Sequence, residues 1–424
     1  MFRAFKYRIY PTKEQTILIH KHIGCSRYVY NLALETKTYA YKEFNHSYSA
    51  NKLITQLPDL KRELAWLKEV NSQTLQASIR NLDDAFIGFF KHGKGFPKFK
   101  SRNNDVKSFH IPQNIEIKDN RVFVPKFLKR GIKIVLHRNY EGKIKNATIS
   151  EHCGKYFISL TCEVDDVLEP KPIKNRTDIT GIDVGLKDFI VTSNGIKISA
   201  PKYYRKEESK LKYIQRKYSK YKGKRTKKKL ALQHQKVANL RKDFLHKVSH
   251  QLVSENHALA IENLNVKGMM KNRKLSKSIG DAGWGMFRQM LTYKSEFSSK
   301  HLLVIGRFEP SSKTCNCCGH KNSELELKDR HWICSGCGSN NDRDKNASLN
   351  IRDFAWRDYS GEELGYKNNN VSGTDTKKAE GVACKRPYTK RKVGSRSVDS
   401  RSVNASYVSP SLEGNIKPSN LLDA

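Results

Sequence analysis

Six residues near the start, Phe5-Lys6-Tyr7-Arg8-Ile9-Tyr10, alternate apolar and basic side chains. A period of two marks a strand with one face buried. Over residues 12–95 the period lengthens. Residues 14–33 and 72–91 carry apolar positions three and four apart, and in the second Leu75, Ile79, Leu82, Phe86 and Phe90 form one stripe. Such a stripe predicts a helix whose apolar side faces a core. After the basic, turn-rich stretch Gly95-Phe96-Pro97-Lys98-Phe99-Lys100, short alternating runs return at 108–111, 115–117, 121–124, 132–136, 147–150 and 155–164. Strands so short and closely spaced predict a barrel or sandwich. The opening strand is expected to join them. That makes 12–93 a helical insertion into a β unit formed by 1–11 and 94–172.

Residues 165–177 are polar and contain prolines, and read as a linker. A new unit opens at Asp178, with strands expected at 179–184, 189–192 and 196–200. A basic helical region should run from about 203 to 256, broken near Gly223. A buried strand at 258–261, a helix around 284–298 and a strand at 302–305 follow. From 366 to 424 the chain turns polar with little periodicity, which predicts a disordered basic tail.

Lysine and arginine total 80 against 42 acidic residues, a formal net charge of +38. One compact body holds such a charge poorly unless a polyanion neutralises it. Nucleic acid is the expected partner, because aromatic residues are interleaved with the basic ones: Tyr203, Tyr204, Tyr213, Tyr218 and Tyr221 punctuate the densest basic run. No run of about 18 apolar residues is present, so no membrane span is expected. The first residues lack an apolar signal core, which points to a cytoplasmic protein with reduced thiols.

Nine cysteines then need an explanation other than disulfides, and five lie within 315–337. Cys315-x-x-Cys318 and Cys334-x-x-Cys337 are separated by fifteen residues, a zinc-ribbon spacing. Two residues between thiolates let one tight turn offer both to one ion, with Gly319, Gly336 and Gly338 supplying turn freedom. Four protein ligands close the coordination sphere, so a zinc here is expected to be structural. Cys317 and His320 are local competitors that do not restore the symmetric spacing.

Three acids sit where acids are out of place. Asp183 interrupts the apolar run Ile179-Thr180-Gly181-Ile182-Asp183-Val184-Gly185. Glu262 ends the apolar run 258–261. Asp344 lies in Asn341-Asp342-Arg343-Asp344-Lys345-Asn346-Ala347-Ser348, which opens a helix after the cysteines. Each alone has a structural reading as turn, strand end or cap. Together they suit hard divalent ions such as magnesium, with manganese as an alternative. Two such ions about 3.5–4 Å apart can flank a scissile phosphate. Asp342 is the rival for the third place, with a helix cap as its other role.

These motifs occur in one order that resembles the TnpB, or OrfB, proteins of bacterial insertion sequences, relatives of type V CRISPR effectors. The resemblance covers about residues 1–355 and is supported by Asn239-Leu240-Arg241-Lys242-Asp243-Phe244, Asp281-Ala282-Gly283-Trp284-Gly285 and Ser311-Ser312-Lys313-Thr314-Cys315. It implies a RuvC-like nuclease of RNase H fold (178–307 and 341–365) with a zinc-ribbon insertion (308–340). It also implies an amino-terminal wedge barrel with a helical recognition insertion. The implied activity is RNA-guided cutting of double-stranded DNA beside a short motif, directed by an RNA from the transposon end. Asp183, Glu262 and Asp344 would be the nuclease triad, Cys315, Cys318, Cys334 and Cys337 the zinc ligands, and a monomer the working form. Two other functions fit parts of the pattern. One is a strand-transfer transposase, although the order Asp, Glu, Asp departs from the usual final Glu. The other is a non-catalytic nucleic-acid-binding regulator.

Overall fold

The computed structural model describes residues 1–364 apart from 104, 105, 128, 129, 166–168, 327 and 363. The expectation for the tail at 366–424 lies outside the described residues.

Strand β1 (Phe2–Tyr10) leads into helices α1 (Lys13–Phe44), α2 (Ala50–Thr55), α3 (Leu57–Glu63) and α4 (Ser72–His92). Strands β2 (Val106–Ile111), β3 (Glu116–Lys118), β4 (Arg121–Phe123), β5 (Ile132–Val135), β6 (Lys143–His152) and β7 (Lys155–Glu163) follow. All seven strands form one sheet in the order β2-β6-β7-β1-β5-β4-β3. β1 pairs antiparallel with β7 from Phe2↔Glu163 to Ile9↔Tyr156, so the opening strand does join the later ones. Its alternation decides the register: Phe5, Tyr7 and Ile9 face a single core with Ile111, Ile134, Ile149, Ile158 and Leu160. Among the described residues β2 and β3 are not hydrogen-bonded to each other, so no ladder closes the sheet there.

The helices leave this sheet at Thr12, which caps α1 in a capping box with Gln15. Gln15 Nε2 also donates to Gly131 O at 2.8 Å and ties the helix start to the sheet. α1 and α4 run side by side in the same direction. Asn71 N–H donates to His22 Nε2 at one end, and Lys37 pairs with Asp83 at 2.8 Å at the other. Leu75, Ile79 and Leu82 are buried against Val29, Ala33 and Leu34, as the stripe predicts. Phe90 is not: the stripe outruns the core, and Phe90 is 75% exposed, touching Phe86 and Phe89 at the surface.

The second half begins with β8 (Ile179–Val184), β9 (Asp188–Thr192) and β10 (Lys197–Ser199). Two basic helices, α5 (Tyr203–Tyr221) and α6 (Lys224–Glu255), precede β11 (Ala258–Glu262). Then come α7 (Val266–Met269), α8 (Ser276–Ala282), α9 (Trp284–Phe297) and β12 (His301–Ile305). A hairpin of β13 (His331–Ile333) and β14 (Asn340–Asp342) leads to α10 (Arg343–Ser360). The sheet order is β10-β9-β8-β11-β12. β8, β11 and β12 are parallel, whereas β9 and β10 are antiparallel. The α5–α6 break falls where expected, but Lys222 takes the left-handed backbone (φ 46°) while Gly223 caps α6 with an ordinary φ of −70°.

The two faces of this sheet are covered by different helices. Ile182, Leu259 and Ile261 pack on Leu245, Val248 and Leu252 of α6 and on Trp284, Phe287 and Leu291 of α9. Ile179, Ala258 and Ala260 face Ile351, Phe354 and Ala355 of α10. Gly181 permits this second contact. A Cβ there would lie 2.0 Å from Ser348 O and 2.7 Å from Arg352 N, so only glycine lets α10 approach β8 so closely.

Candidate functional site

β8 and β11 are adjacent and parallel, with Ile182 paired to Ile261. The next residues, Asp183 and Glu262, therefore stand level at the carboxyl ends of neighbouring strands. Strand alternation turns both toward the face of Gly181 and Ala260, the face covered by α10. Asp344 sits in the first turn of α10, whose start overlies those strand ends. Three acids far apart in sequence thus share one corner of the sheet.

Their electrostatics record the convergence. Burial pushes the Asp183 carboxyl well above its ordinary range, and the charges of Glu262 and then Asp344 push it further. Arg343 and the Val184 N–H oppose this without cancelling it. Burial also raises Glu262, against a hydrogen bond that the Ser311 hydroxyl donates to its carboxylate. Asp344 accepts from Arg330 Nη1 at 2.8 Å, and from Arg343 Nη2 at 3.0 Å and Nε at 3.2 Å. Asp342 does something else. Its carboxylate caps α10 by accepting from the N–H groups of Asp344 and Lys345, each at 3.1 Å, while Lys197 pairs with it at 2.6 Å. Burial works against its ionisation, but Lys197 and the two N–H groups outweigh that and hold it below the usual carboxylate range.

The donor chemistry at this corner is all carboxylate oxygen, and a buried acid beside two others is comfortable only when a cation joins them. Among the described residues, however, the four cysteines are the group whose ligand atoms are mutually close enough for one ion.

The cysteine knuckles come together as the spacing predicts. The Sγ atoms of Cys315, Cys318, Cys334 and Cys337 lie within 4.8 Å of one another, with Cys315–Cys337 at 3.8 Å and Cys318–Cys334 at 3.6 Å. Sulfurs around a tetrahedral zinc bonded at about 2.3 Å lie roughly 3.8 Å apart, so the set fits zinc. Gly319 (φ 77°) and Gly338 (φ 70°) end the two turns in left-handed backbone; Gly336 does not, its place being filled against His320. His320 Nε2 is hydrogen-bonded to Ser335 Oγ at 2.9 Å and stands outside the sulfur cluster. Hydrogen bonds with Ser339, side chain first, bring Cys337 down to about 6.

Asn316 joins this cluster to the acidic corner. Its N–H donates to Asn346 Oδ1 (2.9 Å), and its side chain donates to Asn350 (3.1 Å) and Asp353 (2.8 Å) of α10. Asn316 and Arg330 therefore shape the site without having been quoted from the sequence, whereas Ser311 and Arg343 were quoted only as members of longer motifs and given no role of their own. Ser311 opens the stretch that ends at Cys315, and Asn316 follows it directly. Arg330 carries no local pattern, because its partner lies across the β13–β14 hairpin.

Comparison with known proteins shows the family. The family described as "Probable transposase" (OrfB, IS605) matches residues 159–273, and the Cas12f1-like TNB domain matches 284–351. A Streptomyces pristinaespiralis protein named "Putative RNA-guided DNA endonuclease" is 37% identical over 359 residues, covering 82% of this chain and 88% of its own. The chain belongs to the TnpB (OrfB) family. An Escherichia coli relative, "Putative RNA-guided DNA endonuclease InsQ", is 30% identical over 374 residues, covering 82% of this chain and 91% of its own. Among solved structures, Cas12f1 in its complex with guide RNA and target DNA is similar in fold, with a TM-score of 0.53, 14% identity, and coverage of 83% and 98%. The TNB match spans all four cysteines and Asp344. A further TnpB-associated match, described as a helix-turn-helix domain, covers residues 1–46. In this family member that segment is strand β1 and the single 32-residue helix α1.

Proposed function

We propose that this TnpB-family chain is an RNA-guided, divalent-metal-dependent endonuclease that cuts double-stranded DNA beside a short motif. The names of its relatives point the same way. The observation that carries the reading is the meeting of Asp183, Glu262 and Asp344 at one sheet corner, with each of the other two carboxylates raising the proton affinity of Asp183. The five-stranded unit with α6, α9 and α10 would be a RuvC-like nuclease, the seven-stranded unit its wedge, and the cysteine knuckles a structural zinc ribbon.

Asp183, Glu262 and Asp344 would hold magnesium, and divalent ions bound there supply positive charge to the scissile phosphate and acidify the attacking water. The protein's own part is to fix the acids. Ser311 orients Glu262 through its hydroxyl, and Arg330 and Arg343 hold Asp344. The Asn316 contacts lock the start of α10 to the zinc knuckles. Guide and target would lie on the basic surface of α5 and α6, where Tyr213 and Tyr221 are exposed, and near the exposed Tyr39, Tyr41, Phe44 and Phe90 of the helical insertion and Phe96 and Phe99 just after it. Aromatic faces among cations suit unpaired bases and backbone phosphates.

The test begins with the RNA that co-purifies from a host carrying the native locus. The complex with that RNA should cut a matched target in magnesium. Asp183→Ala, Glu262→Ala and Asp344→Ala should each abolish cutting, by about a thousandfold or more as for groups acting on the transition state, while RNA affinity stays unchanged. Normal cutting by Asp344→Ala, with loss in Asp342→Ala, would reassign the third acid. Joined transposon ends in place of simple cuts would favour strand transfer.

A further inference from the structure

A cavity of about 350 Å³ opens at the turn from β8 to β9, which follows Asp183 directly in the chain. Leu186 and Pro201 wall it, and five cations line it: Lys187, Lys202, Arg205, Arg241 and Arg330. Asp281 is the one acid among the described residues that line it, and it is already committed. Its side chain is 7% exposed, accepts from the Tyr204 N–H with both oxygens at 3.0 Å, and lies 4.0 Å from Arg241 Nε. Arg205 Nη2 donates to a neutral group, the Ser278 hydroxyl, at 2.9 Å. Lys187, Lys202 and Arg205 are exposed, and among the described residues no ion pair joins them to an acid. The backbone adds a second observation. Lys202 takes the left-handed conformation (φ 50°), which suits glycine and strains a lysine. Strain of this kind gathers where a side chain serves something other than the fold. The cavity also adjoins the acids: Arg330, in its wall, donates to Asp344 at 2.8 Å, so one guanidinium spans from the cavity to the third carboxylate.

We propose that this cavity holds one backbone phosphate of the DNA strand being cut, beside the scissile phosphate, on Lys187, Lys202 and Arg205. The proposal rests on the nuclease reading. Several cations around a single committed acid call for an anion. A phosphodiester brings that charge, and its sugar brings an apolar side for Leu186 and Pro201. The volume is near the small end of ligand sites, about 300–1,000 Å³, which is room for a phosphate with its sugar and too little for a folded RNA element. The strand being cut must also pass within a side chain's length of this wall, because Arg330 links it to Asp344. Phosphate contacts fix the register of a strand without reading its sequence. Holding the neighbouring phosphate fast would therefore set which bond is presented to the acids.

The experiment uses the complete protein with its co-purified RNA. A neutral methylphosphonate replaces one phosphate at a time along the cut strand, and single-turnover cutting is measured at each position. Besides the scissile position, one neighbour should slow cutting by about ten- to a hundredfold, the value of a hydrogen bond to a charged group. Arg205→Ala should slow cutting of the unmodified strand by a similar factor, keep its guide RNA affinity, and show no further loss with the methylphosphonate at that neighbour. Lys202→Gly removes a cation and the backbone strain together. It should melt no lower than the parent yet cut about threefold slower or more, a pairing that a merely structural lysine does not give. A second readout needs no cutting: in the Asp183→Ala complex, a photoreactive azidophenacyl group walked along the phosphates of the same strand should crosslink to residues 186–205 at one position. A scan in which only the scissile position matters, or effects of Arg205→Ala and the methylphosphonate that multiply, would overturn the phosphate site and leave the nuclease standing. Guide affinity lost in Arg205→Ala, with the scan unchanged, would give the cavity to RNA and overturn it as well. A wild-type complex that cuts no target would remove the nuclease reading, and the crosslink would then decide the site alone.

Discussion

At the residue scale the deciding feature is a carboxylate held against its own charge. Asp183 binds its proton more tightly in the folded protein than in the unfolded chain, because burial and two neighbouring acids oppose ionisation. As pH rises past the ordinary carboxylate value, the unfolded chain loses that proton first. The folded state then carries the excess proton, so stability falls through this window and stays reduced above the folded value. Asp183→Asn removes the charge and most of the shape change. Without metal at neutral pH this variant should therefore melt at a higher temperature than the parent, and its Tm should depend less on pH between the ordinary carboxylate range and neutrality. With magnesium the order should reverse, since the ions stabilise only the protein that retains the carboxylate. Calorimetry with and without magnesium checks both halves. An Asn variant less stable than its parent in the absence of metal would mean that Asp183 is satisfied by protein groups alone. This residue was legible in the sequence because an acid in an apolar strand needs a reason. Ser311 and Arg330 were not, because their roles depend on partners 49 and 14 residues away.

At the element scale the site depends on how closely α10 lies on β8. Gly181→Ala would drive a methyl group into Ser348 O and the Arg352 N–H, both backbone atoms that cannot step aside. The helix must shift, at about 1–3 kcal/mol for overpacking and with displacement of Asp344. Cutting should fall at least tenfold although no acid is altered, while RNA affinity is kept, which filter binding and single-turnover cutting would show. The knuckles act on the same helix from its other side. Cys334→Ser or a strong chelator should release the Asn316 contacts to Asn346 and Asn350, so hydrogen exchange should rise at the start of α10 as well as at the cysteines. Protection confined to unchanged values at residues 343–350 would show that the knuckles fold independently of the acidic corner. Periodicity gave these elements to within a few residues, from β8 to α9, because each buries one clean face. It failed at Phe90, where the spacing continues past the end of the core, and it said nothing of Gly181, whose need is set by a helix that begins 162 residues later, at Arg343.

At the scale of the whole molecule, a charge of +38 is the largest single fact, and its distribution decides what it does. On α5 some of it is spent internally: Lys212 and Lys277 pair with Glu208, and Lys236 pairs with Glu207 of the same helix. Arg216 and Lys220, one helical turn apart and exposed, line an open groove on α5 with Lys212, Gln215 and Ser219. Cations so placed gain little from the folded protein, and their natural counterpart is a phosphate backbone. Each phosphate they neutralise releases condensed counterions, contributing about 0.7–0.9 to the slope of log affinity against log salt. Arg216→Ala with Lys220→Ala should therefore lower the slope for guide RNA by roughly 1.5, two contacts at that value each. Affinity should fall for guide and unrelated RNA alike, since backbone contacts carry no sequence. The cutting rate at saturating guide should not change, because neither residue approaches the acids. A slope that stays constant would place the guide elsewhere, and the exposed aromatic end of α1 and α4 would then be the surface to alter. A slope that falls together with the saturated cutting rate would mean that these two side chains also position the target strand for cutting.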